Sequence, residues 1–251
     1  MKKCVIIGAA QIQNYERLKT YFSPDDYYIF CDGGLAHQKA LGVSPDLIIG
    51  DFDSWKDPVE PESHSPETGH VDNPAEALVS EKKIAFSQLQ SSSQSKFPAC
   101  APVIRLPCEK DDTDLFYAAK YALAQGFTDF LILGAIGQRF DHSLCNISVL
   151  LYLFQNGKNA VLVDDYSEMQ IIGDCQALTQ ERGTVPDTFS FFSLMCVSGP
   201  AGGVTIKNAK YPLENAAITP EWQYAISNQV LPGKTAEITV QKGQLLLVKV
   251  F

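Results

Sequence analysis

Three short clusters of acidic residues are the part of this 251-residue sequence best suited to chemistry. The clusters contain Asp46, Asp51 and Asp53 in SPDLIIGDFDS, Asp111, Asp112 and Asp114 in EKDDTD, and Asp141 in GQRFDH. Each comes where an apolar, strand-like run gives way to glycine and polar residues. Ligands of open α/β sheets bind at the carboxyl ends of the strands, so we expect the clusters to lie there. Carboxylates gathered in one place repel one another, and oxygen ligands without His or Cys favour Mg²⁺ held together with phosphates.

The first two clusters each have a plain structural alternative. Asp51 and Asp53 point to the same side of an extended chain, which suits one metal ion, although acids in such a loop also cap helices. EKDDTD opens a predicted helix, where capping and the helix dipole alone favour acidic residues. Six consecutive polar residues exceed what capping needs. Lys110 is therefore a candidate for phosphate oxygens, and Asp111 is a candidate metal ligand.

The third cluster lies in a glycine-spaced loop, GAIGQRFDH, at residues 134–142. Its glycines allow the backbone to approach a ligand closely, and the following helix N-terminus favours an anion. Arg139 would add a bidentate phosphate contact. His142 is better explained as a structural or capping residue than as a base. The chain has no G-x-x-x-x-G-K-[ST] or G-x-G-x-x-G motif, so neither a P-loop enzyme nor a standard dinucleotide fold is indicated.

Composition narrows the class of partner. The formal net charge of −9 argues against nucleic acid, whose recognition needs a basic surface. No stretch is long and apolar enough to predict a membrane span. The seven cysteines include no CxxC pair, which argues against a disulfide framework or a zinc site. We expect a cytoplasmic protein whose first residues form a strand rather than a signal peptide.

The hydrophobic pattern predicts an α/β protein with two domains. Predicted strands lie at residues 3–8, 27–31, 47–49, 103–106, 129–134 and 160–164. Predicted helices lie at 14–21, 35–41 and 113–125, and a further helix follows residues 137–142 and ends at about 155. This alternation predicts a Rossmann-like, mostly parallel α/β/α domain over residues 1–166, with a Ser/Pro-rich insertion at about 56–102. Short strands are then predicted at residues 169–173, 188–195, 203–208, 237–240 and 244–251. They predict an all-β sandwich domain over residues 167–251.

Taken together and in order, the motifs resemble those of the thiamine pyrophosphokinase family. They are CDGG (31–34), PDLIIGDFDS (45–54), EKDDTD (109–114), GAIGQRFDH with Asn146, KYPLEN (210–215) and ISN (226–228). The resemblance implies an N-terminal α/β domain, a C-terminal β-sandwich and a homodimer with two sites at the subunit interface. It also implies transfer of a pyrophosphoryl group from ATP to thiamine, giving thiamine diphosphate and AMP.

The resemblance assigns roles by motif position. Asp51, Asp53 and Asp111 would hold Mg²⁺, with Asp32, Asp114 and Asp141 as supporting acids. Arg139 and Lys110 would meet the ATP phosphates, and Gly33 and Thr113 would belong to the same binding set. Either Asp51 or Asp111 would accept the proton of the thiamine hydroxyl.

Thiamine itself would meet Tyr211, Ser227 and Asn228, with the partner subunit's β-domain closing the site. An aromatic face such as that of Tyr211 and an acidic surrounding both suit the cationic thiamine. The chain departs from the family pattern at three places. Asn208-Ala209 replaces a usual Gly-Leu, Ala225 replaces a usual Gly, and the insertion after Trp55 is long.

Three other functions remain open on the sequence. A pyrophosphokinase for another alcohol, such as a hydroxymethylpterin, would share the metal site and differ near Tyr211. A haloacid-dehalogenase-type phosphatase would use Asp51-Phe52-Asp53 as its nucleophile motif, with Asp111-Asp112 or Asp164-Asp165 as its acidic pair. A non-catalytic ligand-binding protein would retain the acids without turning over ATP.

Overall fold

The computed structural model describes residues 2–52, 101–174 and 182–251, although the side chain of Arg182 is not described. Asp53 and almost all of the predicted insertion lie outside these residues. The described chain contains the strands β1 (Cys4–Ile7), β2 (Tyr27–Cys31), β3 (Leu47–Gly50), β4 (Val103–Arg105), β5 (Asp129–Leu133), β6 (Asn159–Val163), β7 (Ser167–Gly173), β8 (Arg182–Pro186), β9 (Phe191–Cys196), β10 (Ala201–Lys207), β11 (Leu213–Ile218), β12 (Thr235–Thr239) and β13 (Gln244–Val250).

Four α-helices and one 3₁₀ helix accompany these strands in the described chain. They are α1 (Tyr15–Lys19), the 3₁₀ helix Asp32–His37, α2 (Gln38–Leu41), α3 (Asp114–Ala124) and α4 (Phe140–Gln155). Thr113 caps α3, because its side-chain oxygen accepts a hydrogen bond from the Phe116 amide. The helix predicted at 35–41 begins three residues earlier, as the 3₁₀ helix. Within the described residues, no helix has both the length and the apolar character that a membrane crossing requires.

The first six strands form a parallel arrangement in the order β4-β3-β2-β1-β5-β6. Both faces of this arrangement are covered. On β1, Cys4 and Ile6 enter a core that includes α3 and α4, whereas Val5 and Ile7 enter a second core with Leu18 of α1. The central strands are therefore apolar at every position, which is why their runs are easily recognised in the sequence.

The same sheet continues past residue 166. Strand β7 pairs antiparallel with β6, β13 pairs with β7, and β9 pairs with β13, giving nine strands in all. A separate four-stranded sheet has the order β11-β10-β12-β8. A third core contains Leu194 and Leu247 from the large sheet and Ile206 and Ile238 from the small one, so the two sheets share a buried core.

Candidate functional site

Three acidic side chains meet at the carboxyl ends of β2 and β3. Asp32, Asp51 and Asp114 each offer a carboxylate oxygen, and these oxygens all lie within 4.8 Å of one another. Asp32 directly follows β2, Asp51 directly follows the neighbouring β3, and Asp114 is the first residue of α3. The parallel pairing of β2 with β3 thus brings together acids that are far apart in the sequence.

The backbone around Asp51 fits this cluster closely. A Cβ on Gly50 would lie 2.8 Å from the Cβ of Asp32, so Asp32 packs against Gly50 only because glycine lacks a side chain. Asp32 and Phe52 have positive φ angles of 31° and 57°, a region that non-glycine residues seldom adopt. Such strain persists where the surrounding structure enforces it, and it often accompanies functional sites. Phe52, the residue after Asp51, has a buried ring that anchors the chain at this point.

Lys110 supplies positive charge to the cluster. Its Nζ lies 2.5 Å from Asp51 Oδ2 and 3.1 Å from Asp114 Oδ1. Burial lowers the pKa of Lys110, but the hydrogen bonds to Asp51 and Asp114 outweigh this effect and raise the pKa overall. Lys110 is therefore charged, and it balances one of the three carboxylate charges. The donor set consists of carboxylate oxygens alone, which fits Mg²⁺.

The other two aspartates of EKDDTD lie outside this group. The side chain of Asp111, a predicted Mg²⁺ ligand, is exposed and is not among the three clustered acids. Asp112 pairs with Lys120 at 2.6 Å. Of the predicted metal ligands, the structure therefore brings Asp51 into the cluster, joined by Asp32 and Asp114, which were predicted as supporting acids.

Arg139 and Asp141 pair on the surface at the start of α4. Arg139 Nε donates to Asp141 Oδ1 at 3.0 Å, and Nη2 donates to Oδ2 at 2.6 Å. The hydrogen bonds from Arg139 hold the pKa of Asp141 well below its usual range. The two side chains are 71% and 63% exposed. Surface pairs of this kind are weak, so Arg139 can exchange Asp141 for a phosphate at little cost.

Two residues of α4 fix the loop that carries Arg139. Ser143 Oγ accepts a hydrogen bond from the Gly137 amide at 3.1 Å, and Asn146 Nδ2 donates to the Ala135 carbonyl at 2.7 Å. Asn146 belongs to a motif recognised in the sequence, whereas Ser143 was not predicted. A serine in the first turn of a helix that follows a glycine-rich loop could have indicated this contact.

The predicted thiamine residues lie together in the β-rich part of the chain. Tyr211 is 58% exposed, whereas Asn228 is 3% exposed. Asn228 Oδ1 accepts from the Tyr211 amide at 3.0 Å, and Nδ2 donates to the Tyr211 carbonyl at 2.8 Å. Asn228 thus clamps the backbone of Tyr211. Ser227 has a φ of 56°, and its amide donates to Ser193 Oγ at 3.0 Å.

A shallow pocket of about 70 Å³ lies beside Tyr211. It is lined by Ile206, Tyr211, Leu213, Tyr224, Ala225, Ile226 and Asn228. This volume is that of a few water molecules, so the pocket could receive part of a ring but could not enclose a large ligand. Tyr224, which lines this pocket, was not predicted from the sequence.

The acidic cluster lies far from β9, the strand of the large sheet that is nearest to the Tyr211 region through Asn228. Asn228 pairs with Phe192 of β9, and six strand spacings separate β9 from β2, which leads into Asp32. At about 4.8 Å per spacing, the separation along the sheet is about 29 Å. A small ligand held at Tyr211 therefore does not reach the acids of the same chain.

Two family models match the chain. The model described as "Thiamin pyrophosphokinase, catalytic domain" matches residues 18–162, and "Thiamin pyrophosphokinase, vitamin B1 binding domain" matches residues 181–245. A curated relative, thiamine pyrophosphokinase of Bacillus subtilis (strain 168), is 26% identical over 167 residues, which cover 65% of this chain and 75% of the relative.

Solved structures are similar along nearly the whole chain. The crystal structure of Bacillus subtilis thiamine pyrophosphokinase has a TM-score of 0.72 at 22% identity and covers 99% of both chains. That of thiamin pyrophosphokinase from Geobacillus thermodenitrificans has a TM-score of 0.67 at 23% identity, covering 99% of this chain and 97% of that one. That of the yeast enzyme has a TM-score of 0.65 at 14% identity, covering 100% of this chain and 86% of that one. At these identities, the structural likeness concerns the fold.

Proposed function

We propose that this chain, which belongs to the thiamin pyrophosphokinase family, transfers a pyrophosphoryl group from ATP to the hydroxyl of thiamine, giving thiamine diphosphate and AMP. The observation that carries the chemistry is the cluster of Asp32, Asp51 and Asp114 beside Lys110. Transfers of this class depend on positioning and charge neutralisation more than on covalent catalysis. A group of carboxylates with a lysine at the end of a parallel sheet suits that need.

Asp32, Asp51 and Asp114 would hold Mg²⁺, with Asp53 and Asp111 as further predicted ligands. When bound, Mg²⁺ would neutralise charge on the phosphate oxygens of ATP. The carboxylate oxygens within 4.8 Å of one another support this assignment.

Lys110 and Arg139 would orient the phosphates. Lys110 already lies among the acids, so a phosphate oxygen held there would meet its ammonium group. Arg139 would leave Asp141 and direct its planar guanidinium toward a second phosphate. Gly33 and Thr113 flank this region, the former next to Asp32 and the latter as the cap of α3. Asp51 or Asp111 would accept the proton of the attacking hydroxyl.

The thiamine end would lie against Tyr211. The exposed aromatic face suits a cation, and Ser227 and Asn228 shape the adjoining backbone. The pterin alternative shares the acids but not this assignment. The match of residues 181–245 to a vitamin B1 binding domain favours thiamine.

We also propose a homodimer in which each site combines two subunits. The separation of about 29 Å along the sheet keeps Tyr211 from the acids of its own chain. A two-fold dimer would bring the Tyr211 region of one copy to the acids of its partner, and would form two equivalent sites.

The proposed domain division is a Rossmann-like domain at 1–166 and a sandwich domain at 167–251. It is supported by family matches that end at 162 and resume at 181. The free described cysteines fit the expected cytoplasmic setting.

Identification of the nucleotide product tests the proposal directly. Incubation with ATP, Mg²⁺ and thiamine is expected to yield AMP and thiamine diphosphate in equal amounts, measured by chromatography. Formation of ADP would contradict transfer of two phosphates in one step. Turnover of a hydroxymethylpterin in place of thiamine would favour the pterin reaction, and release of inorganic phosphate through an aspartyl-phosphate would favour the phosphatase.

A further inference from the structure

The segment Gly8–Asn14, which follows β1, lies at the position where α/β sheets bind ligands. Strands β2, β3 and β4 lie on one side of β1, and β5 and β6 lie on the other, so the chain order reverses between β1 and β5. Ligands of such sheets bind in the crevice at this reversal, outside the carboxyl ends of the strands. The segment follows β1 on one side of this reversal, and the loop that carries Arg139 follows β5 on the other.

The segment contacts both loops of the proposed nucleotide site. The Ala10 amide donates to the Gly134 carbonyl at 2.9 Å. A Cβ on Gly137 would lie 2.9 Å from the Cβ of Ala10, and one on Gly33 would lie 3.0 Å from the Cβ of Ala9. The segment therefore packs between the turn that begins at Asp32 and the loop that carries Arg139, and its movement would disturb both.

A buried histidine holds the first half of the segment. His37 Nε2 lies 3.0 Å from the Ala10 carbonyl oxygen, and His37 Nδ1 lies 2.9 Å from the hydroxyl of Tyr15. Burial lowers the pKa of His37, partly opposed by the bond to Ala10. A neutral ring that donates from Nε2 to Ala10 and accepts at Nδ1 from Tyr15 satisfies both contacts.

A carboxylate from the turn between β6 and β7 holds the second half. Asp165 accepts hydrogen bonds from the Gln13 amide at 3.0 and 2.9 Å and from the Asn14 amide at 2.7 Å. Its carbonyl oxygen also accepts from Arg17 Nη1 at 2.8 Å. The adjacent Asp164 differs, because its carboxylate bonds to the amides of Tyr166 and Ser167 in its own turn. Of this acidic pair, only Asp165 forms hydrogen bonds to the segment Gly8–Asn14.

We propose that Asp165 is a positioning residue for nucleotide binding, and that its carboxylate fixes Gly8–Asn14 as a wall of the ATP crevice. Hydrogen bonds from backbone amides to a carboxylate are among the stronger ones, and two adjacent amides are bound here. His37 fixes the same segment at its other end. This inference rests on the proposed function for the identity of the nucleotide, but its contacts do not depend on thiamine.

Replacement of Asp165 by alanine releases the second half of the segment. If only a tenth to a fifth of the molecules then retain the competent arrangement, the apparent dissociation constant rises about five- to tenfold. We expect that rise in the KM for ATP. We expect the same rise in the Kd for the analogue α,β-methylene ATP, measured by calorimetry in the presence of Mg²⁺. The kcat at saturating ATP and the KM for thiamine should change less than about twofold, because bound nucleotide restores the competent arrangement.

Asp46→Ala is the matched control. The sequence grouped Asp46 with the acids expected at the carboxyl ends of the strands, but this was wrong, because Asp46 precedes β3 at the opposite, amino edge of the sheet and has no part in the site. Its Oδ2 also accepts a hydrogen bond from a backbone amide, that of Tyr28 at 2.9 Å. The Asp46→Ala variant should therefore have a lower melting temperature but an unchanged Kd for the analogue. Asp165→Asn retains one acceptor oxygen and should give an intermediate Kd, and His37→Phe should weaken analogue binding as Asp165→Ala does.

An unchanged Kd for the analogue in Asp165→Ala, or a rise no larger than that in Asp46→Ala, would overturn the positioning role. If Asp165→Ala does not fold, Asp165→Asn answers the question in the same assay, and an unchanged Kd there would overturn it. If the wild-type protein binds the analogue but forms no thiamine diphosphate, the proposed reaction fails. The shift in Kd would still decide the role of Asp165.

Discussion

Asp51 combines the two kinds of contact that an acid in a phosphate-transfer site needs. It faces the carboxylates of Asp32 and Asp114, with which a divalent cation would be shared, and it pairs with Lys110. A like-charge pair at about 4 Å costs about 4 kcal/mol at an effective dielectric of 20. Lys110 offsets part of this repulsion, and a bound divalent cation would offset more of it.

We predict that Asp51→Asn lowers kcat at least 100-fold while the protein remains folded, because charge stabilisation is lost but repulsion between acids is relieved. Steady-state kinetics and circular dichroism measure the two effects. Asp112→Asn is the control, since Asp112 pairs with Lys120 away from the cluster. Near wild-type activity in Asp51→Asn would remove the cluster from the reaction. Asp111→Asn in the same assay decides whether Asp111 is a ligand as predicted.

The sequence alone could not predict which aspartate of EKDDTD enters the cluster. EKDDTD opens the predicted helix, and a shift of one residue at its start turns a helical side chain by about 100°. The structure begins the helix after Thr113, which directs Asp114 rather than Asp111 into the cluster. Asp32 was expected there only through the CDGG motif, because its position depends on the packing of two strands.

At the scale of elements, glycines at strand ends determine how closely the site loops approach. Gly50 is the clearest case, because the Cβ and backbone of Asp32 occupy the place where its side chain would be. The link from sequence to function here is steric. Without glycine at position 50, two neighbouring strand ends cannot bring Asp32 and Asp51 together.

We predict that Gly50→Ala lowers the free energy of unfolding by about 1–3 kcal/mol through overpacking. Because Asp32 must move, activity should fall further than this loss of stability explains. Urea unfolding and steady-state kinetics measure the two effects. Gly202→Ala is the matched control, since an added Cβ there meets no atom within 4 Å. Equal behaviour of the two variants would contradict the steric account.

The elements that sequence reasoning missed share a position in the fold. The buried strands β1, β2, β3 and β5 were predicted closely, because they are continuous apolar runs. Strands β8 and β11 were not predicted, and they are the two edges of the four-stranded sheet. An edge strand needs fewer apolar side chains and tolerates the Gly183 and Pro186 of β8, so its pattern is weak.

The nine-stranded sheet of the whole molecule also could not be predicted from the sequence. The composition changes near residue 166, which led to the prediction of a separate all-β unit. Strands β7, β13 and β9 nevertheless add to the edge of the parallel strands through the β6–β7 pairing. Which sheet a strand joins depends on long-range pairing that local patterns do not encode.

We predict that two impaired variants restore activity when mixed, in assays with thiamine well below the wild-type KM. Asp51→Asn removes the acids' function and Tyr211→Ala removes the aromatic contact, but a mixed dimer contains one site with neither change. After unfolding and refolding together, half of the dimers are mixed and each has one intact site, so about a quarter of wild-type activity should return. Each variant refolded alone is the control. No recovery on mixing would contradict a site shared between subunits.

The long path across the sheet from Asp32 to Asn228 has a further consequence. If each active site forms only in the proposed dimer, the total activity depends steeply on the concentration of the protein. Below the dissociation constant of the proposed pair, the number of complete pockets rises with the square of protein concentration. Small changes in expression would then produce larger changes in cofactor supply, with no separate regulator required.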